Sequence, residues 1–482
     1  MSCLLLADYL NEIFEYLEDD KITLHSCLLV NRIYCEIAIR ILWRNVWNIS
    51  YYKTHILLAI MKILIACLPN ESKDLLHKNG IFIITPTQKP PLFNYASFCK
   101  VLSINKIDQM IQHILENQSH YINLNYKKYL LLQEIIKMYM KQVSSLKSLC
   151  YYSSENSKYI QNPITYFIGA KNCLSDLTEL NCSSNIYSEF FYQISQICYN
   201  IKSITIDFRV IISDGLTNLI SLQNNLESVT LKSDYYCRTE FTISSLVKSS
   251  LTLTKLKIVN YNTSISFISK FKNLQELILS SNANDYSHEF NQLQHITFSQ
   301  LRVLKFLYAR PRAELLIKFL ENNGKNLTEF YVGHHDISLN LAIAKFCLNL
   351  KSLFAIFVKD ELEILKVILN NCQYLENIRV WCGNGYLDDK EFLNVLVKYS
   401  SKNFYELEIY YCISSEILPE DLEKFFINWK NRKSKKSLSL TIFSDNEENF
   451  SLDMKNMEII KIYIETGLIK KFNFLPVSNL FQ

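Results

Sequence analysis

Residues 350–355 read LKSLFA, residues 375–380 read LENIRV and residues 404–409 read FYELEI. Each stretch has apolar residues at its first, fourth and sixth positions, which is typical of a short strand that buries alternate side chains. The pattern occurs ten times at intervals of about 25 residues, within the range of strand-and-helix repeats. Its first positions are Leu177, Ile201, Leu226, Leu253, Leu274, Leu301, Leu327, Leu350, Leu375 and Phe404.

The segments between these stretches have the spacing of helices. In one of them, Leu365, Ile368 and Leu369 recur every three or four residues, so that one helix face is apolar. Strands that alternate with helices at a fixed period predict an α/β solenoid, with parallel strands on the concave face and helices outside. The alternative is an unrelated α/β domain whose leucines share this spacing by chance.

The residues between the apolar positions point to the opposite face of each strand. In neighbouring repeats they include aromatic residues and an arginine, the residue types that dominate interface hot spots. We therefore predict a target-binding surface on the concave face, formed by Tyr331, Phe354, Ile356, Arg379, Trp381 and Tyr410. Two other arrangements stay open: the C-terminal tail covers these residues, or their rings only pack against one another.

The first fifty residues predict three short helices. Leu10, Ile13, Phe14 and Leu17 lie at positions i, i+3, i+4 and i+7 and are expected to form the apolar face of the first helix. The second helix is expected to begin at Thr23 as its N-cap, and the third to run from about Tyr34 to Trp43. Three short helices form a marginal domain, so we expect a partner to cover their apolar face.

This N-terminal segment resembles the F-box motif. The matching positions are Leu5, Asp8, Leu10, Ile13, Phe14, Leu17, Leu24, Val30 and Arg32. The chain departs from the motif at Leu6, where proline is usual, at Asn31, where cysteine is usual, and at Tyr34, where tryptophan is usual. With its repeats, the chain resembles the F-box/leucine-rich-repeat proteins over most of its length. The alternative is that the three helices only cap the solenoid.

The resemblance implies a substrate-recognition adaptor of an SCF-type E3 ubiquitin ligase. The F-box would bind a Skp-family adaptor, and through it a cullin, while the repeats would bind an unidentified target protein. The chain itself would be no enzyme and would need no cofactor. The alternative function is a leucine-rich-repeat protein-binding scaffold without ligase function. The implied adaptor-binding residues are Leu5, Leu10, Ile13, Phe14, Leu17, Leu24, Val30 and Tyr34.

The same resemblance suggests how the chain is divided. We expect an F-box at 1–49, a helical linker or N-terminal cap at 50–145, a leucine-rich-repeat solenoid at 146–445 and a C-terminal cap at 446–482. The cap includes a helix candidate at Met457–Ile469. A solenoid needs such caps because its end repeats otherwise expose apolar surface.

The composition disfavours several other functions. Lys and Arg number 51 and Asp and Glu 47, a balance that argues against a nucleic-acid partner. No glycines have the spacing of a phosphate-binding loop. His334 and His335 are expected to point to opposite faces of a strand, so no metal site is predicted there. An enzyme whose catalytic residues come together only in the folded chain stays open.

The expected location is the cytoplasm, the nucleus or both. The N-terminal residues Met1–Asp8 lack the basic region of a signal peptide. The most apolar run, Ile56–Leu68, has 13 residues and contains Lys62, so it is too short to span a bilayer. We expect no membrane partner. The basic run Lys430–Lys436 indicates nuclear import, an acidic partner or a solvated loop.

Overall fold

The computed structural model describes residues 2–47, 54–82, 91–116, 124–152, 164–233, 244–260, 265–280, 290–411, 417–432, 436–444 and 454–477, with only the backbone for residues 2–8, Thr54 and Met454. The chain forms two compact units, Met1–Ser249 and Ser250–Gln482. Both are built from parallel strands that alternate with helices.

The described part of the first unit has five strands that pair in parallel and in chain order. They are β1 (Val101–Ser103), β2 (Ser148–Tyr151), β3 (Glu179–Ser183), β4 (Ser203–Phe208) and β5 (Ser228–Ser233). Its α-helices are α1 (Ser2–Glu15), α2 (Lys21–Cys27), α3 (Arg32–Leu42), α4 (Thr54–Ala66), α5 (Asn70–Lys78), α6 (Ile104–Glu116), α7 (Leu124–Gln142), α8 (Ala170–Leu174), α9 (Ser188–Ile197) and α10 (Asp214–Ser221).

The described part of the second unit has nine parallel strands, again in chain order. They are β6 (Lys255–Val259), β7 (Glu276–Ser280), β8 (Val303–Leu307), β9 (Glu329–Val332), β10 (Ser352–Phe354), β11 (Asn377–Cys382), β12 (Glu406–Tyr411), β13 (Leu438–Ser444) and β14 (Ile469–Leu475). Its α-helices are α11 (Ala313–Asn323), α12 (Ile337–Phe346), α13 (Leu362–Asn371), α14 (Asp389–Tyr399), α15 (Pro419–Lys430) and α16 (Met454–Glu465).

One backbone contact recurs at the start of successive strands and sets the register. The carbonyl of Lys351 accepts hydrogen bonds from the N–H groups of Glu376 at 2.7 Å and Asn377 at 2.9 Å. The carbonyl of Glu376 accepts in the same way from the first residues of the next repeat, Tyr405 and Glu406. Because each of these strands begins on the previous one, β10, β11 and β12 keep the same register.

The apolar positions of the repeat form the core of each unit. Leu375, Ile378 and Val380 of one repeat are fully buried, as are Leu350 and Leu353 of the repeat before it. Burying such a side chain contributes about 1.5–3 kcal/mol relative to leaving it exposed. The α/β class, the parallel pairing and the solenoid-like order of strands are therefore confirmed.

The strand β1 was not predicted from the sequence. It lies in the segment 50–145, which we expected to be helical, and it pairs in parallel with β2 from Val101 to Ser103. Its three residues are too few for an alternating pattern to stand out.

The apolar run at 56–68 forms most of α4, and its residues Met61 and Leu64 are fully buried. Within the described ranges, no single helix has both the length and the apolar character needed to cross a bilayer. Residues His55–Ala66 and Asn70–Lys78 meet that criterion only as a pair, and the two helices are bent by 110° at their junction.

Candidate functional site

Helices α1, α2 and α3 pack around a small core of their own. Phe14 from α1 meets Leu24 from α2 and Ile37 and Ile41 from α3, and all four side chains are buried. The ring of Tyr34 contacts Phe14 edge to face, with the ring centroids 5.2 Å apart. The three helices thus form one unit, called here the N-terminal helical unit.

Two side-chain caps fix where its second and third helices begin. The N–H of Thr23 donates to Asp20 Oδ1 at 3.0 Å, so α2 begins at Lys21 and its cap is Asp20. Our expectation that Thr23 is the cap was wrong. The Thr23 hydroxyl also donates to Asp20, and this bond lowers the pKa of the Asp20 carboxyl. Asn31 caps α3 by accepting from the N–H of Tyr34 at 2.9 Å.

The predicted adaptor-binding residues fall into three groups in this unit. Phe14 and Leu24 lie in its core, whereas Leu10, Leu17 and Tyr34 are partly buried against that core. Ile13 and Val30 are exposed to 56% and 60%. The side chain of Leu5 lies outside the described residues. Only the exposed and partly buried residues offer surface to a partner.

Ile13 belongs to a row of exposed apolar residues on α1 and the turn after it. Tyr9, Ile13 and Tyr16 are separated by four and three residues and therefore share one face. Leu29 and Val30, in the turn between α2 and α3, are exposed as well. We call Tyr9, Ile13 and Tyr16 the apolar row. Tyr9, Tyr16 and Leu29 were not predicted as binding residues from the sequence, although the spacing of Tyr9 and Tyr16 with Ile13 was a usable signal.

The N-terminal helical unit is joined directly to the strands of the first unit. The carbonyl of Arg44 accepts from the N–H groups of Lys100 at 2.9 Å and Val101 at 3.0 Å, as carbonyls of later repeats do. The guanidinium of Arg44 binds both carboxylate oxygens of Glu15 on α1 at 2.5 Å. Arg44 therefore holds α1 in a fixed orientation relative to β1.

The second candidate surface lies on the sheet face that carries the alternate side chains. Tyr331 stacks on Phe354 with ring centroids 4.3 Å apart, and Tyr410 stacks on Phe443 at 4.4 Å. Trp381 contacts Tyr410 at 5.5 Å. We call this cluster the aromatic shelf, and its members are Tyr331, Phe354, Trp381, Tyr410 and Phe443, with Leu307, Ile356, Leu475 and Val477 packed against it.

The structure brings the six predicted target-binding residues together but buries half of them. Tyr331, Phe354 and Tyr410 are at most 4% exposed, because their rings cover one another. Ile356, Arg379 and Trp381 are partly exposed. Lateral ring packing, one of the open alternatives, is therefore present. The surface available to a partner is formed by the partly exposed residues and by Leu307, which is not among the six predicted target-binding residues.

An ion pair lies beside these rings. Arg379 Nε is 3.0 Å from Glu408 Oε2, and the hydroxyl of Tyr410 donates to the same oxygen at 3.3 Å. Burial raises the pKa of the Glu408 carboxyl, although the positive charge of Arg379 opposes this shift. A second pair, Lys305 and Glu329, has a 2.8 Å separation. Each of these two pairs brings one positive and one negative charge together on this face.

One of the two histidines considered for metal binding, His335, has a structural partner. His335 Nε2 lies 3.0 Å from Glu361 Oε1, and Asp336 caps α12 by accepting from the N–H of Leu339 at 2.9 Å. Our expectation of a strand at His334 and His335 was wrong, because β9 ends at Val332 and the cap fixes a loop there. Burial lowers the pKa of His334. Among the residues that the structure describes, no cluster of metal-ligating side chains occurs.

The cysteines and the basic run also include residues that are buried or bonded within the fold. The described cysteines are free thiols, and burial raises the pKa of Cys198 to about 12, which leaves it protonated at neutral pH.

In the basic run, Arg432 lies 4.1 Å from the ring of Trp429 and donates to the carbonyls of Ser400 and Ser401. One of its positive charges is therefore used within the fold, and residues 433–435 lie outside the described residues.

Comparison with known proteins finds a distant structural likeness. No protein-family model matches the chain, and no curated protein matches it by sequence. Among solved structures it is similar to a chain in the crystal structure of the Rad7 and Elc1 complex in yeast, at 11% identity and a TM-score of 0.34. That match covers 73% of this chain and 87% of the other. A likeness at this score carries no functional argument.

Proposed function

We propose that the chain is a substrate-recognition adaptor of an SCF-type ubiquitin ligase. The N-terminal helical unit is the F-box at 1–49, which binds a Skp-family adaptor and through it a cullin. The leucine-rich repeats at 146–445 bind a target protein, with a helical segment at 50–145 before them and a cap at 446–482 after them. The chain is not an enzyme, and it works in the cytoplasm, the nucleus or both.

The observation that carries this proposal is the apolar row. Tyr9, Ile13 and Tyr16 are 65%, 56% and 91% exposed on a unit whose own core is already filled by Phe14 and Leu24. Large exposed apolar side chains that line one helix face mark a protein-binding surface. The Arg44 contacts then hold this surface in a constant orientation to the first strands. Because one chain would carry both surfaces, a bound target would be held near the ligase at a raised effective concentration.

Co-expression with a Skp-family adaptor, followed by size-exclusion chromatography, tests the proposal. We expect a 1:1 complex that Ile13→Asp weakens at least about tenfold, since a buried apolar side chain contributes about 1.5–3 kcal/mol. Ile337→Asp is the matched control, because Ile337 is 53% exposed on α12. If wild type forms no complex although both units are folded, the scaffold without ligase function replaces the proposal.

The target-binding part is tested separately. Trp381→Ala and Ile356→Ala remove partly exposed side chains of the aromatic shelf and leave its buried rings in place. We expect both variants to lose proteins that co-purify with wild type and to keep the Skp-family adaptor. Unchanged capture of every co-purifying protein by both variants would remove the shelf from the proposal.

A further inference from the structure

We propose that Tyr16 is a phosphorylation site, and that a phosphate on its hydroxyl prevents the apolar row from binding the adaptor. Because the row is an adaptor-binding surface only under the proposed function, the regulatory effect rests on that proposal. The phosphate donor is ATP, and the enzyme is a tyrosine kinase with a basic substrate groove. The Tyr16 hydroxyl oxygen attacks the γ-phosphorus, the bond between that phosphorus and the oxygen of the leaving ADP breaks, and the hydroxyl proton passes to a base of the kinase.

The side chain of Tyr16 is accessible to an enzyme. Tyr16 directly follows Glu15, the last residue of α1, and is 91% exposed, the highest value among the large apolar side chains that the structure describes. Phe14 and Leu17, on either side of it, pack in the core of the N-terminal helical unit. The backbone is thus held at both neighbours while the Tyr16 ring faces solvent.

The backbone around Tyr16 can open locally. Residues 16–19 form turns and not a helix. The N–H of Leu17 donates to the carbonyl of Phe14 at 2.9 Å, and the N–H of Asp20 donates to the carbonyl of Leu17 at 2.9 Å. Exposed turn bonds of this kind lie at the low-stability end of a fold. An enzyme that needs an extended substrate segment can therefore gain access to this tyrosine without unfolding α2 or α3.

The charges near this tyrosine indicate the kind of kinase. Residues 9–20 include five carboxylates and no lysine or arginine. Arg44 pairs with one of them, Glu15, at 2.5 Å, whereas Glu12 and Asp19 are exposed. A substrate groove lined by lysine and arginine attracts such a segment, because complementary charges raise the rate of encounter.

A phosphate at Tyr16 opposes adaptor binding in two ways. It adds a charge of about −1.5 to −2 to a row whose other members are Tyr9 and Ile13, and an apolar interface would have to desolvate this charge. It also lies at the C-terminal end of α1, where the helix dipole is negative, and four residues from Glu12. The modified row therefore loses the partner that the unmodified row binds.

Phosphate mapping on the full chain tests the site. The chain is treated with ATP and a recombinant tyrosine kinase domain that has a basic substrate groove, and the phosphotyrosines are located by mass spectrometry. Tyr126 is the internal control, because it is 54% exposed but is followed by Lys127 and Lys128. We expect Tyr16 to gain phosphate at least about tenfold faster than Tyr126. Equal rates at the two tyrosines, or no phosphate on Tyr16, would overturn the assignment of the site.

Titration with the Skp-family adaptor measures the effect. We expect kinase treatment to raise the Kd of wild type at least about tenfold, and a phosphatase to restore the original Kd. In Tyr16→Phe, the same treatment should leave the Kd of that variant as it was before treatment. Hydrogen exchange of the α2 and α3 amides should be equal with and without the phosphate, since the modification changes the surface of the unit and not its core.

The outcomes separate this inference from the proposed function. A complex that keeps its affinity after Tyr16 is phosphorylated contradicts the inference alone, as does a loss of affinity that persists in Tyr16→Phe. Loss of protection in α2 and α3 on phosphorylation also contradicts it, because unfolding would then explain the weaker binding. If the unmodified chain forms no complex with the adaptor, the proposed function fails and the regulatory effect fails with it.

Discussion

Arg379 and Glu408 form an ion pair between neighbouring strands, with Nε and Oε2 3.0 Å apart, and the two residues are exact register partners on β11 and β12. The Glu408 side chain is only 9% exposed and that of Arg379 30%. Tyr331 and Tyr410 surround the pair, so the carboxylate depends on Arg379 for its charge balance. The Arg379–Glu408 ion pair lies at the base of the surface that we propose for target binding.

Removing Arg379 should cost more stability than removing both charges. Arg379→Met leaves the Glu408 carboxylate buried without its cation, at a cost of about 3 kcal/mol, the low end for buried pairs because Arg379 is partly exposed. The double variant Arg379→Met, Glu408→Gln should recover much of this loss. Hydrogen exchange of the β11 and β12 amides measures the local stability of this segment. Equal destabilisation in the single and double variants would contradict the prediction.

The buried Glu408 also predicts a pH effect. Burial raises its pKa above the ordinary value of 4.5, so between that value and the raised one the folded chain binds more protons than the unfolded chain. Its contribution to stability is therefore present at low pH and falls as the pH rises through this window. Thermal unfolding of wild type and of Glu408→Gln, compared across about pH 4–7, measures this effect. The melting temperature of wild type minus that of the variant should fall as the pH rises. A difference that rises with pH would contradict the assignment.

Substitutions at Phe14 and at Ile13 should weaken adaptor binding for different reasons. Phe14 is 3% exposed in the core of the N-terminal helical unit, so Phe14→Ala should destabilise that unit by about 3–5 kcal/mol. Ile13→Asp changes an exposed side chain and should leave the unit folded. Hydrogen exchange of the α1–α3 amides, measured together with an adaptor pull-down, separates unfolding of the unit from loss of an interface side chain. Loss of protection in α1–α3 of the Ile13 variant would remove it as a test of the interface.

The repeat pattern predicted the fold well because it depends on a few buried positions. Leu375, Ile378 and Val380 alternate as a strand requires, and their burial repeats at a nearly constant spacing. The side chains on the opposite face were harder to interpret. The same alternation places Tyr410 there, yet Tyr410 is fully buried because Phe443 and Trp381 cover its ring. Coverage by neighbouring strands depends on the register, which a sequence motif does not contain.

Two buried amides show what else the sequence did not reveal. Gln223 accepts from the N–H of Ile201 at 3.0 Å and donates to the carbonyl of Cys198. Asn323 does the same between Phe298 and Ile296, at 2.7 and 2.8 Å. Each amide ties one repeat to the one before it. Glutamine and asparagine usually lie at the surface, so single residues without a common spacing gave no signal.

The final prediction concerns Asn31, which stands where the F-box motif usually has cysteine and yet caps a helix. Its side chain accepts from the N–H of Tyr34 at 2.9 Å, and α3 begins at the next residue, Arg32. Asn31→Ala should cost the N-terminal helical unit about 1 kcal/mol, whereas Asn31→Ser keeps an acceptor and should be nearly neutral. Asn31→Cys, which introduces the residue that is usual in the F-box motif, should lie close to Ala in stability. Thermal unfolding followed by circular dichroism orders the three variants. If cysteine were as stable as serine, the cap would not explain the asparagine. The order Ser above Cys, with unchanged adaptor binding in all three, would show that this position serves the start of α3 and not the interface.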